Sequence, residues 1–244
     1  MHEAKGARRN GDGRRTRDEI LTYAVQLASR EGLEALTIGR LAEALHLSKS
    51  GLFAHFGSKE GLQLAVLERA SEVFGERVLR VGRSFSGGLE RLVAFLEAWL
   101  AYVEARDFQG GCFFASASAE FDGRPGPVRD ALVRLAGSWI AALEAESRKA
   151  IAHGDLSSDV DIAQLVFEMH ALVQEANWAM QLLGDARSLG RARAAVRARV
   201  AHAATPKGRA SLVRIGTSIV SDVRAARRAG QASIAPHAAV QVQG

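Results

Sequence analysis

Ser48-Lys49-Ser50-Gly51 opens a short segment whose residue types suit recognition of an anion. Ser48 is an N-cap type, so a helix is expected to start at Lys49 and run to Phe56. The N-terminus of a helix presents unpaired N–H groups and a partial positive charge, both of which favour phosphate. Small residues there let the backbone come close to phosphates and base edges. Leu52 and Phe56, four apart, pack back on the domain. Lys49, Ser50, Phe53 and His55 are then left on the outward side. Lys59 follows directly on Ser58, the expected cap of the next helix.

Other groups that could do chemistry are few. Cys112 follows Gly110-Gly111 and starts an aromatic run, CFFASASAEF. At a helix N-terminus its thiol would be redox-reactive; the alternative is a small buried hydrophobe. His153, Asp155, Asp159 and Asp161 form the one metal-like cluster, and a histidine at a helix end followed by acidic capping residues accounts for it, so no metal is expected. No cofactor is expected either. GxSxG, P-loop, HExxH and Rossmann glycine patterns are absent, which argues against an enzyme.

The elements that must hold these residues read as helices throughout. Thr16 and Glu19 fit a capping box, placing a first helix over 16–31. Thr37 caps a second that carries Ile38, Leu41, Ala42 and Leu45 at i, i+3, i+4, i+7. His46-Leu47-Ser48 is a tight break before the third, and Ser58 caps a long helix over 59–80. Further helices are expected at about 89–103, 112–121, 128–152, 159–183 and 186–203. No stretch alternates as a strand does. The fold class is all-α with about nine helices, and the paired short helices read as a helix-turn-helix.

The run from Thr37 to Leu62, TIGRLAEALHLSKSGLFAHFGSKEGL, resembles the N-terminal DNA-binding domain of the TetR (tetracycline-repressor-like) family. Leu-Ala at 41–42, Leu-Ser at 47–48, Phe-Ala-His-Phe at 53–56 and Ser-Lys-Glu at 58–60 stand at that family's offsets. The resemblance implies that Thr37 touches phosphate, that Ser48, Lys49, Ser50 and Gly51 lie in or beside the major groove, that Phe53 and His55 meet the backbone, and that Lys59 binds a phosphate. Phe53 stands where many members have tyrosine, so a phosphate hydrogen bond is lost there. His46 stands where many have glycine. Arg14 and Arg17, next to the domain, join as expected contacts from a basic arm.

For the remainder the resemblance implies a helical domain that dimerises and binds a small effector. The expected organisation is a flexible arm over 1–13, a DNA-binding domain over 14–60, an effector and dimerisation domain over 61–204, and a mostly weakly ordered basic tail over 205–244. Helix 159–183 is apolar on two faces. One carries Leu165, Met169, Val173 and Met180; the other carries Phe167, His170, Gln174 and Trp178. The second face is the more pocket-like, and which of the two meets a partner subunit stays open. A homodimer is expected through 159–203, where Ala192, Ala195, Val196 and Val200 allow close approach. Pocket residues for an apolar or aromatic effector are Trp99, Tyr102, Phe113, Phe114, Phe121, Trp139, Phe167, His170, Asn177 and Trp178, with ordinary core packing as the alternative for each. The loop from Asp122 to Arg129 is similar to one found in a branch of the family and is read as shaping a turn.

Charge is unevenly spread along the 244 residues. Residues 1–59 hold ten Lys and Arg against seven Asp and Glu, residues 60–186 eleven against nineteen, and residues 187–244 eleven against one. Basic ends suit a polyanion partner or, equally, solvated tails. One cysteine excludes a disulfide framework, and no run suits a membrane span or signal peptide, so a cytoplasmic protein is expected. The resulting expectation is a DNA-binding transcriptional regulator, a repressor released by a small effector. Its alternatives are a helical protein-binding adaptor, an activator of the same family, or a cysteine-based redox sensor.

Overall fold

Apolar positions recurring three and four apart form helices that each bury one side, and among the described residues twelve α-helical segments result. The structure, a computed structural model, describes residues 3–216 and 218–233, with side chains described for 17–216 and 218–229. The segments are α1 Glu3–Glu31, α2 Ile38–Leu45, α3 Lys49–Phe56, α4 Lys59–Phe74, α5 Arg80–Arg83, α6 Leu89–Glu104, α7 Phe113–Phe121, α8 Pro127–Ala152, α9 Ile162–Leu182, α10 Ser188–Ala203, α11 Pro206–Gly216 and α12 Ile219–Ser233. A π-helical turn, Gly75–Leu79, carries the chain from α4 into α5. No strand forms among the described residues; the one extended pairing is an isolated bridge between Leu156 and Ala204. No helix among them is long and apolar enough to cross a membrane.

Two expected boundaries are corrected. α1 begins at Glu3, so Thr16 lies inside it and is not its cap, and residues 3–13 continue the helix. Residues 206–233, expected to be mostly weakly ordered, form α11 and α12. Ile219 and Val223 of α12 are fully buried, because the i, i+4 spacing of apolar residues gives that helix a side to bury. The end of the expected tail, 234–244, lies outside the described residues.

The chain divides into two compact units. Unit 1 comprises 1–73, 105–141 and 177–184, so stretches from later in the chain join the expected DNA-binding segment. Gly110 donates its N–H to Ser29 Oγ at 2.8 Å, and Gln26 Nε2 donates to the Asp107 carbonyl at 2.9 Å. These bonds hold 107–110 against α1. The core of this unit includes Leu21, Ala24, Leu33, Leu41, Leu52 and Leu62.

Unit 2 comprises 74–104, 142–176 and 185–244. α6 is buried on all sides, with Leu92, Leu96, Leu100 and Tyr102 almost fully enclosed. It also buries Glu97, whose carboxyl is pushed up by loss of solvent although Arg193 donates to it at 2.8 Å. Arg193 reaches Glu104 as well, at 2.8 Å, and Glu104 accepts from Arg224 at 3.5 Å. This chain of charges ties α6 to α10 and α12, and leaves no member of it buried and unpaired.

Candidate nucleic-acid interface

The N-terminal caps are as the residue types require. Thr37, with extended backbone, accepts the Arg40 N–H at 3.1 Å and starts α2. Ser48 accepts the Gly51 N–H at 3.1 Å and starts α3. Ser58 accepts the Gly61 N–H at 2.9 Å and starts α4. Each hydroxyl satisfies one donor that the first helical turn leaves open. Between α2 and α3 the chain turns at His46, whose φ of 53° is left-handed. Its N–H closes the end of α2 on the Glu43 carbonyl at 3.2 Å. A side chain costs free energy in that conformation, which is why glycine suits the position. His46→Gly is expected to stabilise the domain by about 0.5–1 kcal/mol, read as a rise in thermal midpoint.

α3 divides into two sides. Leu52 and Phe56 are buried, whereas Lys49, Ser50, Gly51 and Phe53 are exposed and His55 is half-buried. Phe53 leaves 58% of its surface in solvent, an uncommon state for a phenylalanine that no core demands. Arg17 lies with its guanidinium 5.6 Å from the Phe56 ring centroid, so α1 brings a cation beside the end of α3. The structure therefore places Ser48, Lys49, Ser50, Gly51, Phe53 and His55 in one helix-turn-helix, with Arg17 of α1 beside its second helix. The side chain of Arg14 lies outside the described residues.

Thr37 caps α2 and Lys59 opens α4, on either side of α3 in the chain. Lys59 is not a free cation: its Nζ lies 2.8 Å from Glu34 Oε1. Sequence reasoning missed Glu34, because it stands 25 residues from Lys59 in the α1–α2 loop and nothing local announces the pair. It also missed Arg40, which donates through Nε and Nη2 to the two oxygens of Glu31 at 3.1 and 3.2 Å. That fork brings the start of α2 to the end of α1.

The expected effector residues divide between the units. In unit 2, Trp99 and Tyr102 are buried, and Trp99 lies 5.1 Å from His170 between ring centroids. Burial holds the His170 imidazole below its ordinary pKa and hence neutral. Phe167 is 69% exposed, so it lines no enclosed site. In unit 1, Phe113, Phe121, Trp139 and Asn177 are buried, Phe114 is half-buried and Trp178 is largely exposed. The face of α9 expected to be pocket-like thus presents Phe167 and Trp178 to solvent. Its other face, with Leu165, Met169 and Val173, is core.

Cys112 is buried, and its backbone N–H donates to Asn177 Oδ1 at 2.9 Å. The thiol is shielded from solution, as expected of a small core residue and not of an exposed sensor. It is expected to resist a disulfide-exchange reagent such as DTNB in the native protein and to react fully once the protein is unfolded. Rapid reaction of the native protein would restore the sensor reading. Among the described residues no three His, Cys, Asp or Glu side chains gather as a metal site.

Residues 20–66 match the family model described as "Bacterial regulatory proteins, tetR family", and residues 88–196 match that described as "Tetracyclin repressor-like, C-terminal domain". The HTH-type transcriptional repressor NicS of Pseudomonas putida is 36% identical over 100 residues, 38% of this chain and 45% of its own length. The HTH-type transcriptional repressor NemR of Escherichia coli is 26% identical over 129 residues, 52% of this chain and 65% of its own. The chain thus spans about half the length of the curated relatives it matches. A TetR transcriptional regulator from Chloroflexus aurantiacus has the same fold, with a TM-score of 0.73 at 24% identity, over 79% of this chain and 98% of that one.

Proposed function

This chain belongs to the tetracycline repressor-like family of bacterial regulatory proteins, and from that premise we propose that it is a sequence-specific DNA-binding transcriptional regulator. The observation that carries the proposal is the split of α3, with Leu52 and Phe56 buried and Lys49, Ser50, Gly51 and Phe53 outward at a capped N-terminus. That helix is the part that enters a major groove, and its first turn is free to meet base edges. Thr37 and Lys59 hold phosphates on either side, Arg17 and Arg14 add contacts from α1, and Phe53 and His55 lie along the backbone. Binding, not catalysis, is the activity. In the fuller form of this reading the protein is cytoplasmic and represses until a small effector releases it.

The protein acts as a homodimer in this reading, through unit 2. There α9 turns Phe167 and Ala171 outward, and α10 turns Ala194 and Ala198 outward, four apart on one side. This revises the residues expected to allow close approach. Ala192, Val196 and Val200 face the protomer's own interior, because α10 must bury a stripe on α6 before it can offer one to a partner. An apolar or aromatic effector is proposed to stack at Trp99 and His170, where a neutral imidazole and an indole lie together. It would release DNA by shifting the population between two arrangements of the dimer.

The test is a gel shift on the promoter DNA beside the protein's own coding region, at several salt concentrations. Specific, salt-sensitive binding is expected, and its absence contradicts the proposal. Lys59→Ala is expected to weaken binding to all sequences alike, by roughly tenfold, and to reduce the salt slope by about one. An unchanged slope would remove Lys59 from the phosphate contacts. A protein-binding adaptor would instead keep its function after loss of residues 1–60.

A further inference from the structure

The Lys59–Glu34 pair stands at the start of a connected set of contacts inside unit 1. Both side chains are partly exposed, 40% and 38%. An ammonium has three donors, so one bond to Glu34 fixes its direction and leaves two for a phosphate. The Glu34 carboxylate also accepts from Gln63 Nε2 at 3.3 Å and meets the Arg124 guanidinium at 3.3 Å. The hydrogen bond from Lys59 is the main reason its carboxyl sits below the ordinary range.

Glu34 is in turn placed from α7. Glu120 accepts the backbone N–H of Leu33 at 3.1 Å and that of Glu34 at 2.8 Å. Gly32, at a φ of 95°, turns the chain so that these two N–H groups converge on one carboxylate. A Cβ at Gly32 would stand 3.1–3.3 Å from the Glu120 carboxylate, tighter than ordinary packing. Gln63 closes the arrangement by donating to the Leu33 carbonyl at 2.9 Å. Arg124, in the α7–α8 loop that follows Glu120, reaches the Glu34 carboxylate itself. Phe121, Arg124, Val128 and Arg129 line a cleft of about 320 Å³ with Glu34 and Lys59.

Resting on the DNA-binding reading of Lys59, we propose that Glu34 is a positioning residue for the Lys59 phosphate contact, and that Glu120 sets the position of Glu34 from α7. The α1–α2 loop then transmits a displacement of the α7–α8 junction to a phosphate anchor. The loop from Asp122 to Arg129 does more than shape a turn: through Arg124 it touches the same carboxylate that holds Lys59.

Bulk electrostatics alone predicts the opposite sign. Removing a carboxylate near DNA raises the local positive charge and should tighten binding. Positioning predicts that Glu34→Gln weakens it. The experiment measures operator affinity over a salt series for the wild type, Glu34→Gln, Glu120→Gln, Lys59→Ala and each Glu variant combined with Lys59→Ala. Thermal unfolding of every variant monitors the fold.

Glu34→Gln is expected to weaken binding about three- to tenfold with a flatter salt slope, and Glu120→Gln to do so less. Neither is expected to cost anything further once Lys59 is alanine. Tighter binding by Glu34→Gln, or equal losses with and without Lys59, overturns the proposal. Unchanged affinity in Glu120→Gln overturns the link to α7. A wild type that binds no DNA specifically removes the underlying reading as well, whereas a wild type that binds beside variants that match it removes this inference alone.

Discussion

Ser50→Glu is expected to abolish specific DNA binding while leaving the protein folded. Ser50 sits in the first turn of α3, is exposed, and its hydroxyl makes a long hydrogen bond to Ser48 Oγ at 3.4 Å. No core contact is at stake. A carboxylate in the first turn of a helix is favoured by the helix dipole, so stability should hold or rise slightly. On DNA the same carboxylate faces phosphates and groove edges, where juxtaposed like charges cost several kcal/mol. The expected loss of affinity is roughly 100-fold or more, about 2.7 kcal/mol. Equilibrium binding together with circular dichroism separates the two effects. Full binding by a folded Ser50→Glu protein would mean that α3 does not enter the groove.

Gly110→Ala is expected to be among the most destabilising single substitutions in unit 1. A Cβ at this position would stand 1.9 Å from the Ser29 carbonyl oxygen and 2.9 Å from both the Ser29 carbonyl carbon and Oγ. Two of these atoms are backbone, within the long helix α1, and cannot rotate aside. The bond from the Gly110 N–H to Ser29 Oγ would be strained or lost by the same movement. Overpacking of this kind costs about 3 kcal/mol. Denaturant unfolding should show a lower midpoint with an unchanged slope. A midpoint within error of the wild type would mean that α1 and the 107–110 stretch are not held as close as the structure has them.

These two glycine and serine positions show what could be read from the chain. Gly110-Gly111 is visible as a helix break, but that Gly110 permits contact with Ser29 is not, because the partner lies 81 residues away. The caps at Thr37, Ser48 and Ser58 are legible because a cap is local: hydroxyl and N–H are three residues apart. The two sides of α3 are legible for the same reason, since Leu52 and Phe56 fall one turn apart. That α6 to α10 are helices follows from apolar spacing alone.

What failed was long-range or depended on choosing between similar faces. α9 is apolar on two sides, and only packing assigns Leu165, Met169 and Val173 to the core and Phe167 to solvent. α10 offers small residues on several sides, and the ones buried in the protomer are those that looked suited to a partner. The apolar spacing of Ile219 and Val223 is visible in the chain, but that this stripe is buried depends on partners remote in sequence. Arg224 and Arg227 in fact belong to the folded part: one pairs with Glu104 and the other is buried. Part of the strong positive charge of 187–244 is therefore paired within unit 2, whereas the smaller charge near α3 lies at the surface proposed to meet DNA.

The most direct measurement of the central claim is to let the protein select fragments from the genome and to sequence them. The account predicts enrichment of a common, roughly palindromic site, with half-sites about 34–36 Å apart or a multiple of that spacing. It also predicts that the Ser50→Glu protein recovers no such site. Fragments with no shared sequence, or the same site recovered by Ser50→Glu, would contradict it.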